Sequence, residues 1–219
     1  MQKIGVYGGT FDPIHTGHLI AAAQAIEAGQ LDKVIFVPSY SPPHKQRTAS
    51  ELTSFEHRYY MTVLAIAGDE RFEVSDIERR LDGLSYTINT INELKKTYQR
   101  DTEIYFITGL DAICDLKTWR QPEQLLNCCK FLVANRKSDK VLQPVYEAYG
   151  GLAFENIIVF DSPIIEISAT DIRTRLKNGK SIKYFVPTSV EKYIYDNKLY
   201  DRKIEELLNG KSIAEALST

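Results

Sequence analysis

The sequence lacks any apolar run approaching the roughly 20 residues a membrane-spanning helix needs, so no membrane partner is expected. The short run from Ile4 to Tyr7 is cut by Gly8 and Gly9, well before the length of a signal-peptide core, and reads as a first strand. Cysteine is scarce: Cys114, Cys128 and Cys129 are an odd set, and adjacent cysteines rarely reach relaxed disulfide geometry with each other. That argues against a disulfide framework and for a reducing, cytoplasmic setting. Charge of one sign is lacking too, with 27 Lys and Arg against 29 Asp and Glu, a net of -2. No global field is available to hold a long stretch of nucleic acid, so any phosphate chemistry must be local. Internal repeats, low-complexity tracts and Gly-, Ser- or Pro-rich linkers are missing as well.

What is present is a chain of 219 residues with 43% apolar composition, enough for one domain of ordinary size with a small appendage. Six β-rich runs are predicted: Lys3 to Gly8, Lys33 to Pro38, Phe72 to Ile77, Glu103 to Gly109, Lys130 to Arg136 and Asn156 to Asp161. Most are nearly continuous in apolar residues, the pattern of parallel strands covered on both faces. Helical spacing intervenes, as in Leu19, Ala22, Ala23 and Ile26, in Phe55, Tyr59, Thr62, Val63 and Ile66, and in Ile88, Ile91, Leu94 and Tyr98. The alternation predicts an α/β fold with a doubly wound, mostly parallel sheet, a helical C-terminal part, and ligands at the carboxyl ends of the strands. Helix starts are expected at Thr53 with Glu56, Ser168 with Asp171, and Thr188 with Glu191. Residues 1–200 are read as one domain and 201–219 as a helical tail carrying Ile204, Leu207, Leu208 and Ile213.

The first strand leads into Gly8-Gly9-Thr10-Phe11-Asp12-Pro13-Ile14-His15-Thr16-Gly17-His18. Glycines let backbone approach a ligand, and the free N–H groups at the start of the following helix favour phosphate. Neither the P-loop ending nor the dinucleotide fingerprint is present. Instead two of the four histidines, three residues apart at a helix start, can face one pocket and donate to phosphate oxygens. Zinc is the competing reading, weakened by the want of a third nearby ligand, and no metal ligand is assigned.

This loop resembles the H-x-G-H signature of a nucleotidyltransferase superfamily, and its Gly-Gly-Thr-Phe opening is most similar to the bacterial nicotinate-nucleotide adenylyltransferase branch, over about residues 1–200. Ile167-Ser168-Ala169-Thr170-Asp171-Ile172-Arg173 resembles that family's second signature, with Ala169 where a serine is usual. The resemblance implies a Rossmann-like fold and AMP transfer from ATP to nicotinate mononucleotide, with Mg2+ arriving on the triphosphate. It places His15 and His18 at the α-phosphate, and Gly8, Gly9, Thr10, Phe11 and Gly17 around the nucleotide. Ile167, Ser168, Thr170 and Arg173 fall at the β- and γ-phosphates, and Gly109 and Asp111 at the adenosine, with helix capping the alternative for Asp111. Ser39, His44, Lys45, Ser85, Tyr86, Thr87 and Trp119 then form the acceptor site, with packing the alternative for Trp119 and a solvated loop charge for Lys45. Tyr59, Tyr60, Tyr98 and the tyrosines from 193 to 200 read as packing. The expected partners are small molecules, with a homo-oligomer left open. Other acceptors, a truncated class I aminoacyl-tRNA synthetase and a non-catalytic nucleotide sensor are the rival readings.

Overall fold

The computed structural model describes residues 1–42, 52–99, 101–135 and 141–200. The strands are β1 (Lys3–Gly9), β2 (Lys33–Pro38), β3 (Phe72–Val74), β4 (Glu103–Gly109), β5 (Lys130–Asn135) and β6 (Ile157–Asp161). Helices α1 (Thr16–Gly29), α2 (Phe55–Ile66), α3 (Thr87–Thr97), α4 (Leu110–Ile113), α5 (Pro122–Cys128), α6 (Gln143–Asn156), α7 (Ala169–Lys177) and α8 (Thr188–Asp196) run between and after them. The six strands form one sheet in the order β3-β2-β1-β4-β5-β6, and every pairing is parallel. The winding reverses between β1 and β4, so the crevice at their carboxyl ends is where a ligand fits an open α/β sheet.

Alternation along the strands separates two cores. Ile4, Val6, Ile35, Val37, Phe106, Phe131 and Val133 share one face with the inward residues of α3, α5 and α6. Val34, Phe36, Tyr105, Ile107, Leu132 and Ala134 share the other with those of α1, α2, α7 and α8. Gly5 lies on this second face, where an added Cβ would stand 2.7 Å from Leu31 Cδ1 and 2.9 Å from both Ile107 Cδ1 and Val34 Cγ2. Gly5→Ala is therefore expected to cost about 1–3 kcal/mol through overpacking, read as a lowered thermal midpoint.

Several boundaries differ from the sequence expectation. β3 stops at Val74, and the Ile77 N–H turns to Ser75 Oγ (3.3 Å) to start a short 3-10 turn over Ile77–Arg80. The cap of α2 is Ser54, whose Oγ accepts from His57 N (3.4 Å), not Thr53. The cap of α8 is Pro187, whose carbonyl accepts the Glu191 N–H (2.9 Å), which places Thr188 inside the helix. Ser168 caps α7 as expected. None of the three cysteines forms a disulfide, and Cys129 is buried just before β5. Residues 201–219 and Arg136 lie outside the described residues.

Candidate active site

β1 ends at Gly9, and the chain then turns back on itself through Phe11, whose φ of 50° is left-handed, and a cis Asp12–Pro13 bond. The fold-back lays the Phe11 ring against the strand end, where a Cβ on residue 9 would stand 2.7 Å from it; glycine is required there. His15 caps α1. Its backbone N–H donates to His18 Nδ1 (3.2 Å), and the two rings stack with centroids 3.6 Å apart at 27°. Because Nδ1 of His18 accepts, its ring proton is placed on Nε2. Phe11 braces the same ring edge-on at 5.1 Å. Gly17 leaves room beside the pair, since a Cβ there would stand 3.2 Å from His15 Nδ1, a tight contact.

The second signature arrives from α7. Ser168 Oγ accepts the Asp171 N–H (3.0 Å), and Ile172 is fully buried, which fixes the first turn against the sheet. Ile167 packs half-buried behind it. Arg173 then reaches across, its Nη1 donating to the Asp12 carbonyl (2.6 Å) and its Nη2 to Thr170 Oγ1 (3.1 Å). Segments 161 residues apart in sequence thus meet at the first loop.

Beside them lies an open cleft of about 240 Å³, walled by Gly8, Gly9 and Thr10 at the end of β1, Ser39 after β2, Thr87 and Thr90 on α3, and Thr108 on β4. Glu78, Ser85, Phe106, Ala112 and Trp119 complete the wall. Trp119 is held edge-on against Phe106, with centroids 5.8 Å apart at 88°, so packing and a cleft-facing role coexist in it. Ser85 and Ser41 clip together, Ser85 N to Ser41 O (2.8 Å) and Ser41 N to Ser85 Oγ (2.9 Å). Tyr86 caps α3 and lies beneath the Arg120 guanidinium, 5.0 Å from its ring centroid, set back from the cleft wall. Gly109 caps α4, and among the described residues nothing lies within 4 Å of where its Cβ would be. Asp111 is exposed on α4 and is not its cap. His44 and Lys45 lie outside the described residues.

Residues 6–175 match the cytidylyltransferase-like family. The probable nicotinate-nucleotide adenylyltransferase of Thermoanaerobacter sp. (strain X514) is 44% identical over 210 residues, covering 93% of this chain and 96% of its own. The chain belongs to the nicotinate-nucleotide adenylyltransferase family. A similarly named Thermus thermophilus protein is 43% identical over 199 residues, covering 91% of this chain and all of its own. The Plasmodium falciparum nicotinic acid mononucleotide adenylyltransferase, solved complexed with NaAD, shares the fold at a TM-score of 0.74 and 22% identity, covering 91% of this chain and 98% of its own.

Within this adenylyltransferase frame the structure adds residues that sequence reading did not single out. Arg58 on α2 is 1% exposed; its Nη1 donates to the Thr10 carbonyl (2.7 Å) and its Nε to the Thr53 carbonyl (2.9 Å). Burial pushes its pKa down, opposed by the negative charge of Asp12. Glu78 is buried in the cleft wall, accepting from Tyr40 N (3.1 Å) and Thr90 Oγ1 (2.8 Å). Tyr200, read as packing, does pack against the second core and also donates its hydroxyl to Asp12 Oδ1 (2.7 Å). For Arg58 a signal existed: it stands three residues after Phe55 and four before Thr62, on the inward stripe of α2. Glu78 and Tyr200 carried none.

Proposed function

We propose that this chain transfers AMP from ATP to nicotinate mononucleotide, giving nicotinate adenine dinucleotide and pyrophosphate, as a cytoplasmic step of NAD biosynthesis. The single observation that carries the reading is the contact of Arg173 with the loop that holds His15 and His18. That contact brings the Arg173 guanidinium to the loop that carries His15, His18 and the start of α1, a set of donors that suits a triphosphate. The names of the relatives support the acceptor. The second Plasmodium falciparum neighbour was solved complexed with APC, and the first with NaAD.

The acceptor's phosphate oxygen is already a nucleophile at neutral pH. It attacks the α-phosphorus in line, its new P–O bond forming as the bond to pyrophosphate breaks. The protein's work is positioning and charge stabilisation. His18 directs Nε2–H and the start of α1 its N–H groups at the α-phosphate; Arg173 meets the departing pyrophosphate. Among the described residues no group of three or more His, Cys, Asp or Glu side chains is placed to hold a metal ion. Mg2+ is read as part of the substrate, carried in on ATP.

On the acceptor side, Trp119 offers an aromatic face for a pyridinium ring, and the start of α3, near Tyr86 and Thr87, offers backbone N–H groups to the nicotinate carboxylate. Trp119→Ala is expected to raise the half-saturating nicotinate mononucleotide concentration about tenfold or more, the scale of one lost stacking contact, with that for ATP little changed. Equal shifts for both substrates would reduce Trp119 to packing. The reaction itself is tested by pyrophosphate release with ATP and either nicotinate mononucleotide or its amide. Faster turnover with the acid is expected; turnover only with a different phosphate acceptor would overturn the assignment. Among the described residues no helix is long and apolar enough to cross a membrane, which is compatible with the proposed location.

A further inference from the structure

Three polar groups converge under the first loop from different parts of the chain. Arg58 takes the Thr10 carbonyl, Arg173 takes the Asp12 carbonyl, and the Tyr200 hydroxyl takes the Asp12 carboxylate. Asp12 is 1% exposed, so its side chain must be held by protein groups and not by water. One residue therefore carries two contacts of different origin. Its main-chain oxygen anchors the guanidinium assigned above to the triphosphate, and its side-chain oxygen is gripped by a tyrosine 188 residues away.

The backbone is bent to deliver that tyrosine. After α8, Lys198 and Tyr200 both adopt left-handed φ values, 50° and 65°, a conformation that costs a non-glycine residue about 1–3 kcal/mol and that clusters at functional sites. The hydroxyl reaches a site shared with Thr53, Asp12 and Arg173. Burial first, and then the negative charge of Asp12, push its pKa well above the usual phenol value, so it stays a donor at neutral pH.

We propose that Tyr200 is a positioning residue for the triphosphate site: by gripping the Asp12 carboxylate it fixes the rotation of that residue, which keeps the Asp12 carbonyl aimed at Arg173 and the guanidinium plane turned toward the departing pyrophosphate. This rests on the role given to Arg173 under the proposed function. Without the hydroxyl, Asp12 loses one of the groups that hold it, and the anchor of Arg173 is loosened with it.

The test uses the full chain and isothermal calorimetry with α,β-methylene ATP, alongside steady-state kinetics. Tyr200→Phe is expected to weaken analogue binding about tenfold, the scale of one hydrogen bond to a charged group, and to leave the half-saturating nicotinate mononucleotide concentration within about twofold. If the hydroxyl acts through Asp12, the two substitutions are not additive. Tyr200→Phe placed on top of Asp12→Ala is therefore expected to change affinity by no more than about twofold, a coupling that a merely structural tyrosine does not show. Native affinity in Tyr200→Phe, or a further tenfold loss in the double variant, overturns the inference. Should either of these variants not fold, Asp12→Asn decides, because its Oδ1 still accepts the hydroxyl: affinity within about threefold of wild type supports the role, and a tenfold loss contradicts it. A wild-type chain that fails to bind the analogue sinks this inference and the proposed function together; a wild type that binds it and a Tyr200→Phe chain that binds it equally sink this inference alone.

Discussion

Replacing His18 by alanine is expected to lower turnover by about 10^2-fold or more, the cost of removing one preorganised donor from a developing charge. In the proposed mechanism the loss falls on the chemical step, since the Nε2 proton of His18 is assigned to oxygens that gain charge as the α-phosphorus is attacked. Folding changes little. The side chain also accepts the His15 N–H, so the alanine variant gives up a cap worth about 1 kcal/mol, a small shift in thermal midpoint. His18→Asn separates the two effects: its Oδ1 can take over the acceptor role of Nδ1 but places no donor where Nε2 stood. It is expected to recover the stability and not the rate. Near-native turnover in either variant would remove His18 from the mechanism.

The second large effect is on the leaving group. Arg173→Met is expected to lower kcat/KM for ATP by about 10^2-fold, in the range measured for losing one donor to developing charge, and to leave the half-saturating concentration of nicotinate mononucleotide nearly unchanged. Arg173→Lys should restore little of it. A lysine supplies charge but not the forked geometry that lets one Nη group anchor on Asp12 and the other on Thr170, the arrangement from which the proposed mechanism has the guanidinium meet the phosphates. Progress curves at several ATP concentrations distinguish these outcomes, and equal losses for both substrates would mean that Arg173 supports the loop rather than the pyrophosphate.

The parts of this structure that follow from local pattern were legible in the sequence. β2 and β4 begin and end where their apolar runs do, and the alternation of strand and helix led directly to a parallel, doubly wound sheet. Glycines 9 and 17 sit in the signature, and the structure gives their physical reason, room for the Phe11 and His15 rings. Caps were less legible where two candidates adjoin. Thr53 and Ser54 both precede α2 with a hydroxyl, and only the fold decides that Ser54 caps while the Thr53 carbonyl serves Arg58.

The network beneath the loop was legible only in part. Its members, Arg58, Asp12, Arg173 and Tyr200, are spread from the first loop to the end of the described chain, and several of their partners are main-chain carbonyls, which carry no sequence signal. Buried polar groups must nonetheless be satisfied, so tertiary structure determines such sites and residue type does not. Glu78 is the same case in the cleft wall, its carboxylate receiving a backbone N–H and a threonine hydroxyl brought in from α3.

The convergence of the two signatures on one triphosphate is tested most directly by a crystal structure of the chain with α,β-methylene ATP and Mg2+. The expected result is an α-phosphate beside His18 Nε2 at the start of α1, with the terminal phosphates against Arg173. A triphosphate bound out of reach of Arg173, or lying on another face of the sheet, would contradict it.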